Sequence, residues 1–237
     1  MKYLDLTLPG AAANLACEEA LLEQAEAGGP ECLRFWEASE PFVVLGYANR
    51  SARETRLAVC AARGIPVLRR ITGGGTVVQM PGVFNYAVIL RTDRPGFEGI
   101  SQTNRLVLDQ VVRAIETAGG PTVVRRGDTD LCLGDRKFAG NAQRRGRFAL
   151  IFHGSILLDP DFALIDALLP APSREPDYRA GRSHRDFLTT LPVSEEELKR
   201  GLRSVWEAEE PVGGTPYARI EELVAAKYAR PEWNGKL

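Results

Sequence analysis

The stretch Arg69-Arg70-Ile71-Thr72-Gly73-Gly74-Gly75-Thr76-Val77-Val78 is the most informative in the chain. It continues a strand that begins at Pro66-Val67-Leu68 and leads into another at Thr76. Three consecutive glycines cost backbone entropy and bury nothing. Such a loop suits a place where backbone approaches a ligand closely, and its N–H groups can cradle an anion. Arg69 and Arg70 add charge in the fork geometry that fits phosphate or carboxylate. The loop is neither a Walker A segment, which needs Gly-Lys-Ser/Thr, nor a Rossmann fingerprint. On composition alone, a flexible hairpin turn with solvated arginines accounts for it equally well.

Working outward, Ala13 to Ala27 predicts an amphipathic helix, with Leu15, Leu21 and Leu22 spaced among Glu18, Glu19 and Glu23. Gly28-Gly29-Pro30 ends it. Cys32 to Trp36 and Phe42 to Gly46 read as strands, and Arg53 to Arg63 reads as helical. Beyond the glycines come strands at Thr76 to Val78 and Asn85 to Leu90, then a long helix from Ser101 to Gly119. Asp130 to Leu133 and Lys137 to Ala139 look like a hairpin about Gly134-Asp135, and Phe148 to Leu158 is a strongly apolar strand. From Ser194 onward the tail reads as mostly helical, with Ser194 and Glu197 suited to a capping box. Strands and helices interleave irregularly, which predicts an α+β fold rather than a βαβ repeat.

Two further stretches carry candidate chemistry. In Gly134-Asp135-Arg136-Lys137-Phe138-Ala139-Gly140-Asn141-Ala142-Gln143-Arg144-Arg145, Lys137 sits in a strand among small residues. It either points into a cleft or is an ordinary exposed lysine. The basic trio Arg144, Arg145 and Arg147 reads as a solvated hairpin tip, since no base-stacking aromatics accompany it. In Phe152-His153-Gly154-Ser155-Ile156-Leu157-Leu158-Asp159, the histidine lies inside an apolar strand, where a hydrogen-bonded core role is the usual one. No Gly-x-Ser-x-Gly elbow supports a serine hydrolase.

Bulk properties narrow the classes. The chain has 237 residues, 44 % hydrophobic and 26 % charged, enough for a sizeable core without staples. A net charge of -1 gives no global pull toward nucleic acid or anionic membrane. Four scattered cysteines (Cys17, Cys32, Cys60, Cys132) and two histidines argue against a zinc site and for free thiols in a reducing compartment. With no signal peptide and no apolar run of about 20 residues, the reading is cytoplasmic.

Together RRITGGGTVV, GDRKFAGNAQRR and HGSILLD resemble, in order and separation, the signature of the lipoate–protein ligase A family, within the biotin and lipoate transferase superfamily. NLACEEALL (Asn14 to Leu22) and YARPEWN (Tyr228 to Asn234) extend the resemblance over nearly the whole chain. It implies a mixed, largely antiparallel sheet with flanking helices, similar to class II tRNA synthetases and biotin protein ligase, in one catalytic domain over residues 1–237. It also implies ATP, Mg2+ and lipoate as substrates and cofactor, and a lipoyl-domain protein as acceptor, whose lysine is the nucleophile. Arg70 and Gly75-Thr76-Val77-Val78 would contact ATP or the adenylate. Lys137 would be the catalytic cation on the acyl carbonyl and phosphate of lipoyl-AMP. Arg69, Thr72, Gly73, Gly74, Lys137, Gly140, Asn141, His153 and Gly154 would line the lipoyl site, with the acyl chain in a hydrophobic tunnel.

The sequence departs from that pattern in places. Gln79 stands where many members have histidine. Pro81-Gly82 leans toward the octanoyltransferase branch, which works through a cysteine thioester. Yet Leu169-Pro170-Ala171-Pro172 carries alanine at one comparable position, and Gly120 to Asp128 holds no cysteine at the other. Cys132 is the nearest thiol. Many ligases continue into an accessory domain of about a hundred residues; this chain is expected to lack it, and so to work with a separate small partner or from preformed adenylate. Acyl transfer from a thioester, or non-catalytic binding of lipoyl-AMP, are the alternatives.

Overall fold

The computed structural model describes residues 1–237. Its strands, in chain order, are β1 (Lys2–Asp5), β2 (Cys32–Glu37), β3 (Phe42–Leu45), β4 (Val67–Arg69), β5 (Val77–Gln79), β6 (Val83–Arg91), β7 (Val124–Arg126), β8 (Asp130–Leu133), β9 (Arg136–Arg145), β10 (Ala149–Leu157) and β11 (Glu210–Pro211). Eight strands form one sheet in the order β11-β1-β2-β6-β10-β9-β8-β7, and β4-β3-β5 form a small second sheet. The large sheet is parallel only along β11-β1-β2 and antiparallel from there on. The helices are α1 (Ala11–Glu26), α2 (Ser51–Glu54), α3 (Leu57–Ala62), α4 (Ile100–Thr117), α5 (Phe162–Leu168), α6 (His184–Phe187), α7 (Glu195–Val205), α8 (Tyr217–Leu223) and α9 (Pro231–Asn234). The fold is α+β with a mixed, largely antiparallel sheet and flanking helices.

Period-two alternation sorts the side chains of the large sheet into two cores. Phe84, Tyr86, Val88 and Leu90 of β6 pack with Val107, Val111 and Ile115 of α4 and with Leu198 and Leu202 of α7. Ala87 and Ile89 face the other way, with Ile151 of β10, against Leu15, Leu21 and Leu22 of α1. A smaller third core gathers Val43, Val78, Met80 and Ile165 around the small sheet. No helix is long and apolar enough to cross a membrane.

Several sequence expectations change. The helix expected over Arg53 to Arg63 is two short ones, because Arg56 N–H leaves the helical pattern to donate to Leu168 O at 2.8 Å. The strand expected to end at Ala139 runs on to Arg145. Arg144 and Arg145 are therefore strand residues rather than a free hairpin tip: Arg144 donates to Ile71 O and Arg145 to Thr103 Oγ1. Helix α1 is buried on nearly every side, so Glu18, placed on its polar face by periodicity, is only 4 % exposed. The tail contains the expected capping box at Ser194 and Glu197, but also β11 and a π-helical turn, Val224–Tyr228.

Candidate active site

The α1-facing side of the large sheet is interrupted by two polar rungs. Cross-strand register aligns Arg34, Ala87, His153 and Ala142 on one rung, and Trp36, Asn85, Ser155 and Gly140 on the next. Small residues at Ala87, Ala142 and Gly140 leave room above the sheet, and polar residues beside them fill part of it.

Lys137 reaches this face because of a bulge. The register of β8 and β9 steps between Leu131, paired with Ala139, and Cys132, paired with Lys137. Phe138 is therefore an extra residue. An extra residue inverts the alternation for whatever precedes it, and bulges re-aim side chains in this way. The Lys137 ammonium folds over Gly140: a Cβ on Gly140 would lie 2.8 Å from Nζ. Nζ pairs with Asp130 Oδ1 at 2.7 Å, and Tyr178 donates its hydroxyl to Asp130 Oδ2 at 2.7 Å. Tyr178 belongs to the single 3-10 turn Asp177–Arg179, so the segment before α6 is fastened to the lysine's partner.

The glycine loop forms the roof. Arg70, 8 % exposed, donates from Nε to Thr72 Oγ1 (2.8 Å) and from Nη2 to Gly73 O and Gly75 O (2.8 Å). Burial pushes its guanidinium down to about 10, which leaves it charged at neutral pH. In a trans peptide plane the N–H points opposite to the C=O. With the Gly73 and Gly75 carbonyls turned to Arg70, the N–H groups of Gly74 and Thr76 turn away from it. The N–H groups of Gly73, Gly74, Gly75 and Thr76 donate to no acceptor within the chain. Gly74 holds φ of 85°, a conformation glycine adopts without strain, and a side chain at Gly46 would strike the Gly74 carbonyl. The roof is therefore a charged arginine under a row of unpaired donors, the arrangement that holds an oxyanion.

Beneath it runs a buried polar chain. Thr72 Oγ1 lies 2.7 Å from His153 Nε2, and His153 Nδ1 lies 2.6 Å from Glu18 Oε2. Trp36 Nε1 donates to Glu18 Oε1 at 2.9 Å, and Arg34 stands 3.9 Å away. Burial pushes the Glu18 carboxyl up, but His153, Arg34 and Trp36 together bring it below the usual carboxylate range. On the next rung Gln79, Asn85 and Ser155 close a ring, with Gln79 Nε2 donating to Asn85 Oδ1 and Ser155 Oγ at 2.8 Å each. Gln79 fills its position as a hydrogen-bonded amide.

All four cysteines are buried and free. Cys132 is completely covered, and burial raises its thiol despite a 3.6 Å contact with the Tyr178 hydroxyl. Burial likewise raises Cys17, Cys60 and Cys32, the last to about 12. None is poised as a thiolate.

Residues 10–200 match the family model described as the lipoyl protein ligase A/B catalytic domain. The chain belongs to that family. Among its relatives, octanoyltransferase LipM of Brevibacillus brevis is 28 % identical over 98 % of each chain. Lipoate-protein ligase A subunit 1 of Thermoplasma acidophilum is 25 % identical over 93 % of this chain and 90 % of its own. Among solved structures, the bi-partite lipoate protein ligase of T. acidophilum, studied with its E2 lipoyl domain, superposes with a TM-score of 0.84 at 25 % identity, covering 100 % of this chain and 96 % of that one.

Set against the expected site, Arg70, Thr72, Gly73, Gly74, Gly75, Thr76, Lys137, Gly140 and His153 converge on one face. Three residues do not. Arg69 is fully buried and directs its guanidinium to the carbonyls of Gly46, Tyr47, Asn49, Trp233 and Asn234, inside the protein and away from the site. It clamps the EWN segment to the loop after β3. Asn141 and Gly154 lie across from each other on the opposite, α4-facing side, where Asn141 accepts from the Tyr86 hydroxyl at 2.5 Å. Alternation along β9 and β10 forces this. Val77 and Val78 are strand residues of β5, as expected, paired with Val44 and Val43 of β3. Sequence reasoning missed Glu18, Trp36, Asn85, Asp130 and Tyr178, whose roles come from neighbours distant in sequence. The NLACEEALL resemblance was the one available signal for Glu18.

Proposed function

We propose that the chain is a lipoate–protein ligase that holds lipoyl-AMP and transfers the lipoyl group to a lysine of a lipoyl-carrier protein. The observation that carries this reading is the burial of all four thiols beside a charged, donor-rich acyl-phosphate site. A mixed anhydride needs cations and N–H donors where negative charge builds on the carbonyl and phosphate oxygens, and no enzyme nucleophile. Lys137 supplies the mobile cation, Arg70 the buried one, and the Gly73–Thr76 amides the donors. ATP with Mg2+ would form the adenylate on the same residues. The subunit 1 designation and the bi-partite ligase among the relatives support a second, separate protein for that step.

Octanoyl transfer is the second reading, favoured by the LipM relative and by Pro81-Gly82. It requires an acyl-enzyme thioester, for which the buried Cys132 is the nearest candidate. The test has three arms with one apo lipoyl domain: lipoate with MgATP, synthetic lipoyl-AMP, and octanoyl-acyl carrier protein. The ligase reading expects one lipoyl mass on the acceptor from lipoyl-AMP, unchanged in a Cys132→Ala variant. Product from octanoyl-acyl carrier protein alone, lost on Cys132→Ala, overturns it.

A further inference from the structure

We propose that Glu18, on α1, is a positioning residue that sets the proton order of His153 and Thr72 and so fixes the aim of the glycine loop. The inference rests on the acyl-phosphate reading of the loop, and it assigns a task to a carboxylate that acts through His153.

The argument is a count of protons. Glu18 is ionised, so both its oxygens only accept. Oε1 is occupied by the Trp36 N–H, and Oε2 faces His153 Nδ1 at 2.6 Å. Nδ1 must therefore carry a proton, and in the neutral ring Nε2 is then bare. Nε2 lies 2.7 Å from Thr72 Oγ1, which must turn its single proton toward the histidine. That leaves the hydroxyl's lone pairs for Arg70 Nε, which donates to it at 2.8 Å. Arg70 in turn holds the Gly73 and Gly75 carbonyls, and their orientation turns the Gly74 and Thr76 amides away from the guanidinium. One proton order runs without conflict from α1 to the loop. Charged groups around this pair include Arg34 on β2 and Arg70 after β4, which act on Glu18, and Arg144 on β9, two residues along the strand from His153's partner Ala142; all are donors, and none offers Nδ1 another acceptor. Every group in the chain is buried or nearly so, where a mismatched donor is costly.

Glu18→Gln is close to isosteric but cannot satisfy both neighbours. With its oxygen on Trp36, the amide nitrogen donates to Nδ1, the ring proton moves to Nε2, and the Thr72 hydroxyl is released to swing. The chain has only His153 and His184, so 15N-histidine labelling gives two imidazoles to assign. At pH 8 the wild type is expected to show His153 as the Nδ1–H tautomer, and Thr72→Val is expected to keep it. Glu18→Gln is expected to shift it toward Nε2–H and to lower kcat/KM for transfer from lipoyl-AMP by about 10- to 100-fold, the range of one charge-assisted hydrogen bond. An Nε2–H tautomer in the wild type overturns the inference, as does one in Thr72→Val, which would make Thr72 the residue in command. Inverted tautomer with full activity in Glu18→Gln also overturns it. The wild-type and Thr72→Val spectra need no substrate and do not depend on Glu18→Gln folding. A wild type inactive with lipoyl-AMP would thus count against the functional reading and leave the tautomer to decide this one.

Discussion

Gly140→Ala should displace the Lys137 ammonium, and with it the proposed transfer activity, without unfolding the protein. The added methyl would lie 2.8 Å from Lys137 Nζ and 3.0 Å from Cε, against a comfortable separation of about 3.5 Å or more. The lysine head must retreat by roughly 0.5–0.7 Å at the least, which strains the 2.7 Å pair with Asp130. Gly140 itself has no left-handed φ, so alanine fits its backbone. The group displaced is the end of a flexible side chain, so the melting temperature should stay within about 2 °C. Misplacing a catalytic group by about 1 Å costs on the order of 100-fold, so a loss of about 10- to 100-fold in rate is expected. The assay is single-turnover transfer from synthetic lipoyl-AMP to an apo lipoyl domain at saturating acceptor. Lys137→Ala alone should lose about 100- to 1,000-fold. In that background Gly140→Ala should add less than about twofold, since there is no ammonium left to displace. A Gly140→Ala enzyme at wild-type rate would refute the placement of Lys137, and so would a further tenfold loss in the Lys137→Ala background.

Three other outcomes follow from the packing. Gly154→Ala would drive a methyl into Asn141 Oδ1 and to 2.6 Å from Tyr86 Cε1; it should destabilise the fold by about 1–3 kcal/mol, and an unchanged urea midpoint would contradict the assignment of this rung to the α4 side. Arg69→Lys cannot reach carbonyls on two separate segments with one ammonium; it should lose about 2–4 kcal/mol and expose the residues after Tyr228 to faster proteolysis, whereas full stability with weakened lipoate binding would restore Arg69 to the ligand site. Glu18, held below its ordinary value of 4.5, lends stability that is present above that value and is lost as pH falls through the depressed one. The stability gap between wild type and Glu18→Gln should therefore narrow as pH drops below about 4.5, and a gap that widens in acid would show that the carboxylate is not ionised in the fold.

Most of the architecture was legible in the chain. The helix at Ala11–Glu26, the strands on either side of the glycines, the hairpin at Gly134-Asp135 and the capping box at Ser194 all announce themselves through periodicity and turn chemistry. Strands β1 and β7 did not: Lys2–Asp5 is only partly buried and Val124–Arg126 is exposed throughout, so neither carries the apolar run that marks the equally short β3 and β4. The break at Thr55-Arg56 also did not, because the acceptor that ends the helix is Leu168 O, more than a hundred residues away.

The candidate site divides in the same way. Its residue types could be read from the chain alone: an arginine before a glycine loop, a lysine in a strand of small residues, a histidine in an apolar strand and no thiol at the expected positions. Local residue types carry that information. Which of those residues share a face was decided only by tertiary structure. A single bulged residue, Phe138, turns Lys137 onto the face that carries His153, while unbroken alternation sends Asn141 and Gly154 to the other side. Burial of α1 against the sheet makes Glu18 part of the site, and the EWN segment from the far end of the chain takes Arg69 out of it. Facing and burial depend on register and on what packs above, and both are set by contacts between segments far apart in sequence.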